Sequence, residues 1–265
     1  MSIIKLDSVF GPILVRQNDL IEQHIRNYGA HTRTDLAFLL SLVKPGDQLF
    51  DLGAHIGTFA VPLLKKTGPG GRLLAVEGNP ETYELLVRNL GQSGLSNSCT
   101  ALNDVVAPDS RRFRMINHPS NTGACYFEAA DEGDPGTRRG IPLAELCRSY
   151  FVPRLIKLDI EGLEFAVLSS APLIEFGNPI LFVEVSRDWP DRDAGSFGDL
   201  ERLLREQGYR FFWNKEPGHA TNDIFTVDRL DTFGEVLQTK LQFNVLAVHE
   251  EDERMDELLV PPSSA

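Results

Sequence analysis

The sequence predicts an α/β fold in which helices cover both faces of a mostly parallel sheet. From residue 47 onward, short apolar runs alternate with helical segments, which is typical of βαβ units. The turn signal Lys44-Pro45-Gly46-Asp47 marks where this alternation begins. The 265 residues are 42% hydrophobic and 24% charged, close to the average for soluble globular proteins, so one sizeable core is available.

The elements of this core follow from the spacing of the apolar residues. Short apolar runs that end in glycine, proline or acidic residues predict buried strands, whereas apolar residues three or four positions apart predict helices. The predicted strands are 48–51, 72–77, 99–106, 155–159, 179–185, 209–213 and 243–248. The predicted helices are 58–66, 81–91, 162–169 and 195–207. Together these elements predict one domain over residues 47–249.

An N-terminal arm, residues 1–46, precedes the core. The segment SVFGPILVRQ alternates apolar and polar residues and predicts a short hairpin around Gly11-Pro12. Two helices are expected after it, at 20–28 and 34–42. These helices could form a lid over a site or a contact between the two copies of a homodimer.

Two further segments interrupt or follow the alternation. Residues 107–140 are expected to be an insertion, because RRFRMI and GACYFEA resemble strands and the stretch after them is polar and rich in glycine. Residues 250–265 are expected to be a flexible tail. Its first eight residues, EEDERMDE, hold six acids and one arginine, which indicates a solvated segment.

Charge and cysteine content exclude several classes of protein. The chain has 26 Lys and Arg against 38 Asp and Glu, a net charge of −12, which excludes nonspecific nucleic-acid binding through phosphates. Its three cysteines include no CxxC pair, so neither a disulfide framework nor a zinc site is expected. The start lacks a signal-peptide pattern, and no apolar run is long enough to span a membrane. We therefore expect a soluble, cytoplasmic protein.

The strongest local signal is DLGAHIG at residues 51–57, where a strand gives way to a helix. Gly53 permits a tight turn and lets backbone N–H groups approach a ligand, and Gly57 allows close packing of the following helix. Glu77 ends the next predicted strand, twenty residues after Gly57, where an acid can accept hydrogen bonds from ribose hydroxyls. This arrangement predicts a nucleoside site; a tight turn without a ligand is the alternative.

The residues at positions 55 and 58 indicate which class of nucleoside could be bound. A dinucleotide fingerprint would need glycine at positions 55 and 58, where the chain has His55 and Thr58, so NAD is disfavoured. No G-x-x-x-x-G-K-[ST] motif is present, which argues against a P-loop hydrolase. A D-x-G-x-x-x-G turn followed by an acid at the end of the second strand resembles the S-adenosylmethionine site of Rossmann-like methyltransferases.

A second signal is the charged strand end LIKLDIEG. Alternation along a strand places Lys157, Asp159 and Glu161 on one side. An interior strand of a parallel sheet should be apolar on both faces, so these charged side chains need partners. The partner could be a ligand; alternatively, the charged side chains form ion pairs whose role is structural only. Glu184 in FVEV ends another apolar run and could face the same crevice. Asp159 and Glu184 could contact a divalent cation, but two carboxylates do not make a coordination sphere, and we assign no metal ligand.

Four ordered blocks resemble FkbM-family methyltransferases: DLGAHIGTFAVPL, AVEGNPETYELLVRNL, LIKLDIEGLEFAVLSSA and ILFVEV. The resemblance runs from about residue 45 to residue 185. It implies a Rossmann-like class I methyltransferase fold, with a seven-stranded sheet whose last strand is reversed. It also implies methyl transfer from S-adenosylmethionine, typically to oxygen, with S-adenosylhomocysteine as product.

The resemblance also implies where the cofactor lies. The residues expected to bind the cofactor are Asp51, Gly53 and Gly57 around the methionine portion, Glu77 at the ribose, Asn103 and Asp104 near the adenine, and Asp159 near the sulfonium. Ala54, in the same turn as Gly53, is also expected to bind the cofactor. The arm and residues 111–140 are less like the family, and these parts are expected to hold the acceptor. The acceptor is expected to be a small molecule, a sugar or a polyketide or peptide natural product.

Catalytic roles are assigned from the chemistry of the transfer. An alcohol acceptor loses a proton, so we hypothesise Asp159 or Glu161 as general base, with Lys157 orienting the carboxylate or the acceptor. His118, Asn121 and Glu184 are expected to contact substrate. The remaining histidines are interpreted as structural; they are His24, His31, His55, His219 and His249. A noncatalytic Rossmann-like binding protein and an NAD-dependent reductase are the alternative functions.

Overall fold

The computed structural model describes residues 2–117, 125–187 and 195–254. The arm begins with the hairpin β1 (Ile3–Ser8) and β2 (Gly11–Arg16), followed by α1 (Leu20–Tyr28) and α2 (Arg33–Leu42). Ser8 pairs with Gly11, so the hairpin turns at residues 9 and 10 and not around Gly11-Pro12, which instead begin the second strand.

The core elements follow in chain order. They are β3 (Gln48–Leu52), α3 (Ala60–Thr67), β4 (Arg72–Val76), α4 (Pro80–Gln92), β5 (Cys99–Leu102), β6 (Val105–Val106), β7 (Arg112–Ile116), β8 (Tyr126–Ala130), β9 (Arg138–Ile141), α5 (Leu143–Ser149), β10 (Leu155–Leu158), α6 (Glu164–Ser169), β11 (Ile180–Ser186), α7 (Phe197–Glu206), β12 (Tyr209–Asn214), β13 (Val227–Leu230), α8 (Phe233–Leu237) and β14 (Gln242–His249). No helix in the described ranges is both long enough and apolar enough to cross a membrane.

The central sheet confirms the Rossmann-like fold. Within the described ranges its strand order is β13-β12-β14-β11-β10-β3-β4-β5, and β11, β10, β3, β4 and β5 are all parallel. The last strand, β14, runs antiparallel to both of its neighbours, as the resemblance implied. The expected count of seven strands is wrong by one. The additional strand is β13, a short polar segment that pairs antiparallel with β12 at the sheet edge.

The central strands are buried on both faces, which explains their continuous apolar character. Along β3, Leu49 belongs to the apolar cluster on one face of the sheet, and Phe50 and Leu52 belong to the cluster on the other face. The order of the strands reverses between β3 and β10, so a crevice opens beyond their carboxyl ends. In open α/β sheets, ligands bind at this switch point.

The insertion forms a separate small sheet in the order β6-β9-β7-β8. The predicted strand 99–106 is divided, because β5 ends at Leu102 and β6 joins the small sheet. Asn103 lies at the break and donates from Nδ2 to the carbonyl oxygens of Glu77 and Gly78, at 2.8 and 3.3 Å. Its side chain therefore satisfies backbone groups where the ladder ends.

The arm is fixed to the core through a cluster of aliphatic side chains from β2, α1 and α4. Ile21 and Ile25 on one face of α1 pack in this cluster with Leu85 of α4. Asn89 strengthens the attachment: its side chain accepts from the Leu14 N–H at 2.7 Å and donates to the carbonyl oxygens of Leu14 and Ile56 at 3.1 and 2.8 Å. This packing holds the arm beside the crevice.

The first residues of the expected flexible tail are anchored to the body. Asp252 forms a two-pronged ion pair with Arg154, with distances of 2.5 and 2.6 Å. Arg254 is only 3% exposed and donates to the Leu42 carbonyl and to Asp47. The acidic composition therefore does not make residues 250–254 a free segment, because two of their charges have partners in the core.

Candidate active site

A pocket lies at the carboxyl ends of β3, β4, β10 and β11, beside the arm. Eight of the residues predicted from the sequence line it: Gly53, Ala54, Glu77, Asp104, Lys157, Asp159, Glu161 and Glu184. Asp51, Gly57 and Asn103 do not line it but hold the residues that do. His118 and Asn121 lie outside the described residues. The predicted motifs thus come together in one crevice at the switch point of the sheet.

The turn after β3 requires its first glycine. Gly53 has a φ of 80°, and a Cβ atom there would lie 1.8 Å from the carbonyl oxygen of Asp159. The N–H groups of Gly53 and Ala54 both donate to the Val76 carbonyl at 2.9 Å, which ties the turn to β4. Gly57, with a φ of 91°, would bring a Cβ within 3.1 Å of Leu86 on α4, so it permits close helix packing there.

Glu77 is held by backbone donors on either side. Its two carboxylate oxygens accept from the N–H groups of His55 and Asn79, each at 2.8 Å. Glu77 is 8% exposed, and burial raises the pKa of its carboxyl to about 7 despite these two bonds. A carboxylate oxygen has more than one lone pair, so each retains capacity to accept from a ligand hydroxyl.

His55 adopts a conformation that is unusual for a residue other than glycine. Its φ is 50°, in the left-handed region. This backbone directs the His55 N–H to Glu77, and burial lowers the pKa of the imidazole to about 4. Strained backbone of this kind is concentrated at functional sites. The dinucleotide fingerprint has glycine at this position, which lets the backbone approach a pyrophosphate closely. Here the His55 side chain lines the pocket instead.

Lys157 lies next to the last residue of β10 and lines the pocket. The ammonium donates to the Gly53 carbonyl at 3.0 Å, contacts Asp159 Oδ2 at 3.1 Å and lies 3.6 Å from Asp51 Oδ1. Burial opposes the charged form, but the two carboxylates outweigh it and raise the pKa of Lys157. The ion pair that sequence reasoning kept as an alternative is therefore present, and it forms part of the pocket wall.

Three carboxylates converge opposite the turn. An oxygen from each of Asp159, Glu161 and Glu184 lies within 4.8 Å of the others, and this is the group in the described residues that could surround a cation. Glu184 also accepts from Gln242 at 2.9 Å. Burial, reinforced by Asp159 and Glu161, raises the pKa of Glu184 well above its usual range. Glu161, with a φ of 56°, adds a third carboxylate to the two, Asp159 and Glu184, that the sequence offered for a cation.

Histidines that sequence reasoning interpreted as structural also line the pocket. His24 from α1, His31 from the turn after α1 and His219 from the β12–β13 connection meet there. The Nδ1 atoms of His24 and His31 are 2.8 Å apart, and the rings of His24 and His219 have centroids 3.9 Å apart. They come from separate segments, so no motif spacing could have revealed them.

Comparison with known proteins gives the family. A model described as the methyltransferase FkbM domain matches residues 51–211. A tRNA (guanine(37)-N(1))-methyltransferase of Aedes aegypti is 26% identical over 99 residues, which are 36% of this chain; the match spans only 17% of that protein.

Two solved methyltransferase structures are distantly similar to this chain. Methyltransferase FkbM from Methylobacillus flagellatus KT is 18% identical, with a TM-score of 0.49, over 78% of this chain and 49% of that one. An S-adenosylmethionine-dependent O-methyltransferase from Thermotoga maritima is 14% identical, with a TM-score of 0.47, over 93% of this chain and 85% of that one. The family match, by contrast, spans more than half of the chain and includes the turn after β3, the charged end of β10 and Glu184. On that match, this chain belongs to the FkbM methyltransferase domain family.

Proposed function

We propose that the protein is an S-adenosylmethionine-dependent O-methyltransferase acting on a small-molecule, sugar or natural-product acceptor. The observation that carries this proposal is the crevice at the switch point, in which Gly53, Glu77 and the Lys157–Asp159 pair meet. The pocket fits an adenosyl ligand because Glu77 retains lone pairs for ribose hydroxyls, and because Glu77 and Asp159 line the same crevice at the switch point of the sheet.

The bound cofactor would supply a methyl group on a positively charged sulfur. In this proposal Glu77 holds the ribose, Asp104 lies on the adenine side and Asp159 faces the sulfonium. Lys157 is a positioning residue: it fixes Asp159 and the Gly53 carbonyl at the same time. The enzyme then needs to align an acceptor oxygen with the methyl group and to exclude water.

Proton removal is assigned to Asp159 or Glu161. The cofactor would supply the methyl group, and one of these carboxylates would receive the hydroxyl proton that an alcohol acceptor loses when it is methylated. Asp159 is held in place by its ion pair with Lys157, whereas Glu161 enters the pocket from the next turn of the chain. Turnover of the variants Asp159→Asn and Glu161→Gln shows which of the two carboxylates accepts the proton. If both variants keep full turnover on an accepted substrate, this assignment is wrong.

Titration calorimetry tests the cofactor and distinguishes the alternatives. We expect S-adenosylmethionine and S-adenosylhomocysteine to bind and NAD not to bind. Glu77→Ala should weaken both adenosyl ligands by about tenfold or more, since it removes hydrogen bonds to a charged group. Glu81→Ala is the matched control, because Glu81 is an exposed acid four positions along the chain. Binding of NAD alone would favour a reductase, and binding of none would favour a noncatalytic protein.

A further inference from the structure

The pocket has few groups that can receive an anion. S-adenosylmethionine ends in an amino acid whose carboxylate needs hydrogen-bond donors or positive charge. Among the described residues, Lys157 is the one lysine or arginine that lines the pocket. Its ammonium is already engaged by Asp159, by Asp51 and by the Gly53 carbonyl. Another source of donors is therefore needed at the methionine end of the cofactor, and this inference rests on the proposed function.

Among the other described side chains of the lining, the imidazoles are the donors that can also take on a positive charge, whereas Thr32, Thr58, Gln242 and Asn244 are neutral donors. We define the histidine cluster as His24, His31, His55 and His219, all of which line the pocket. His55 lies within the turn expected to flank the methionine portion, between Gly53 and Gly57. Its Nε2 atom is buried and has no hydrogen-bond partner among the described residues. A buried nitrogen without a partner costs free energy, and a ligand oxygen would remove that cost.

His24 and His31 form a hydrogen-bonded pair with a defined arrangement. Their Nδ1 atoms are 2.8 Å apart, their ring centroids 5.1 Å apart and their planes within 12° of each other. These values describe two nearly coplanar rings joined end to end, not two rings packed face to face. One Nδ1 donates and the other accepts, so the pair shares a proton and both Nε2 atoms remain for other partners.

The charge state of the cluster depends on what occupies the pocket. Burial lowers the pKa of His24 and of His55 to about 4, and it also lowers the pKa of His31 and of His219. Neighbouring histidines lower the pKa of His24 and His31 further, so the four imidazoles are neutral near pH 7. A carboxylate among them would favour the protonated forms. The charged groups that face the cluster are Arg16 and Asp19 from the arm, Asp35 from α2, and Lys157 and Asp159 from the end of β10.

We propose that the histidine cluster binds the carboxylate at the amino-acid end of the cofactor, and that this binding takes up a proton from solvent. The imidazoles supply N–H donors, and protonation of one of them supplies the positive charge that Lys157 cannot. The arm carries His24 and His31, so the proposal also makes the arm part of the cofactor site. Binding of the amino-acid end would then strengthen with falling pH in the range where the cluster becomes protonated.

Two related ligands test the proposal without an acceptor. S-adenosylhomocysteine carries the amino-acid end, and 5′-methylthioadenosine is a thioether of the same nucleoside without it. Calorimetry at pH 6.5 in two buffers of different ionisation enthalpy measures proton uptake. We expect uptake with the first ligand and none with the second. Heats that do not depend on the buffer for either ligand would overturn the proposal.

Substitutions of single histidines test whether the cluster contacts the amino-acid end of the ligand. His31→Gln and His55→Asn should weaken S-adenosylhomocysteine by about tenfold or more, because a charge-assisted hydrogen bond is lost, and should leave 5′-methylthioadenosine within about twofold. Asn tolerates the left-handed backbone at position 55. His249→Gln, outside the pocket, is the control. Equal losses for both ligands would overturn the proposal. If the wild type binds neither ligand, the proposed function itself fails.

Discussion

Replacing Lys157 by methionine tests how the charged end of β10 is stabilised. Lys157 is 4% exposed and contacts Asp51 and Asp159. Asp51 is fully buried, and neither of its oxygens has a hydrogen bond within the described part of the chain. The substitution therefore leaves Asp51 as a buried carboxylate without a counter-charge. Breaking a buried pair in this way costs about 3–5 kcal/mol, and we expect a loss of this size at pH 8.

The loss should depend on pH in a defined direction. Burial raises the pKa of Asp51 to about 6, above the value of about 3.9 in unfolded chains. Without the lysine, which lowers it, this pKa rises further. A carboxyl with a raised pKa binds its proton in the folded state first, so stability is regained as pH falls through that pKa. The deficit relative to wild type should therefore be smaller at pH 5.5 than at pH 8.

Urea unfolding of three proteins measures this effect: wild type, Lys157→Met and the double variant Asp51→Asn with Lys157→Met. The double variant removes the unpaired charge and should recover part of the free energy of unfolding at pH 8. An equal deficit at both pH values, together with no recovery in the double variant, would refute the reasoning.

Three further predictions concern neighbouring parts of the fold. Gly53→Ala should abolish S-adenosylhomocysteine binding in calorimetry, because its Cβ would lie 1.8 Å from the Asp159 carbonyl oxygen; unchanged affinity would contradict the tight turn. Asn89→Ala removes three hydrogen bonds and should destabilise the protein by about 1–3 kcal/mol, with faster hydrogen exchange in the arm than in β3; uniform exchange would argue against a role in docking. The pKa of Glu77 is raised to about 7 by burial, so its ionisation lowers stability as pH rises from about 4.5 to 7; Glu77→Gln should flatten urea-unfolding stability over that range, and an unchanged slope would show that other groups cause it.

The sequence predicted those parts of the fold in which burial of a strand requires a continuous run of apolar residues. β3 and β10 lie in the middle of the sheet and are apolar on both faces, so both were expected close to their observed bounds. Lys157 interrupts such an apolar run, which is why it indicated a site. β13 has only partial burial and a polar sequence at the sheet edge, and the same pattern occurs in loops.

Site residues that act through tertiary contacts were harder to predict. The place of Asn103 near the adenine stays a prediction, and its hydrogen bonds to the backbone of Glu77 and Gly78 had no signal in the sequence. His24, His31 and His219 come together only because the arm packs on α4 and the β12–β13 connection reaches the same pocket. Local spacing carries no information about such contacts. Most of the site residues predicted from strand ends line the pocket. The three histidines, which reach the pocket through long-range packing, were not predicted to do so.

A crystal structure with S-adenosylhomocysteine tests the central claim most directly. The account predicts ribose hydroxyls within hydrogen-bond distance of Glu77, the sulfur atom facing Asp159, and the ligand carboxylate among the histidines of the arm and of the turn after β3. A ligand bound elsewhere on the molecule, or one whose ribose does not contact Glu77, would contradict it.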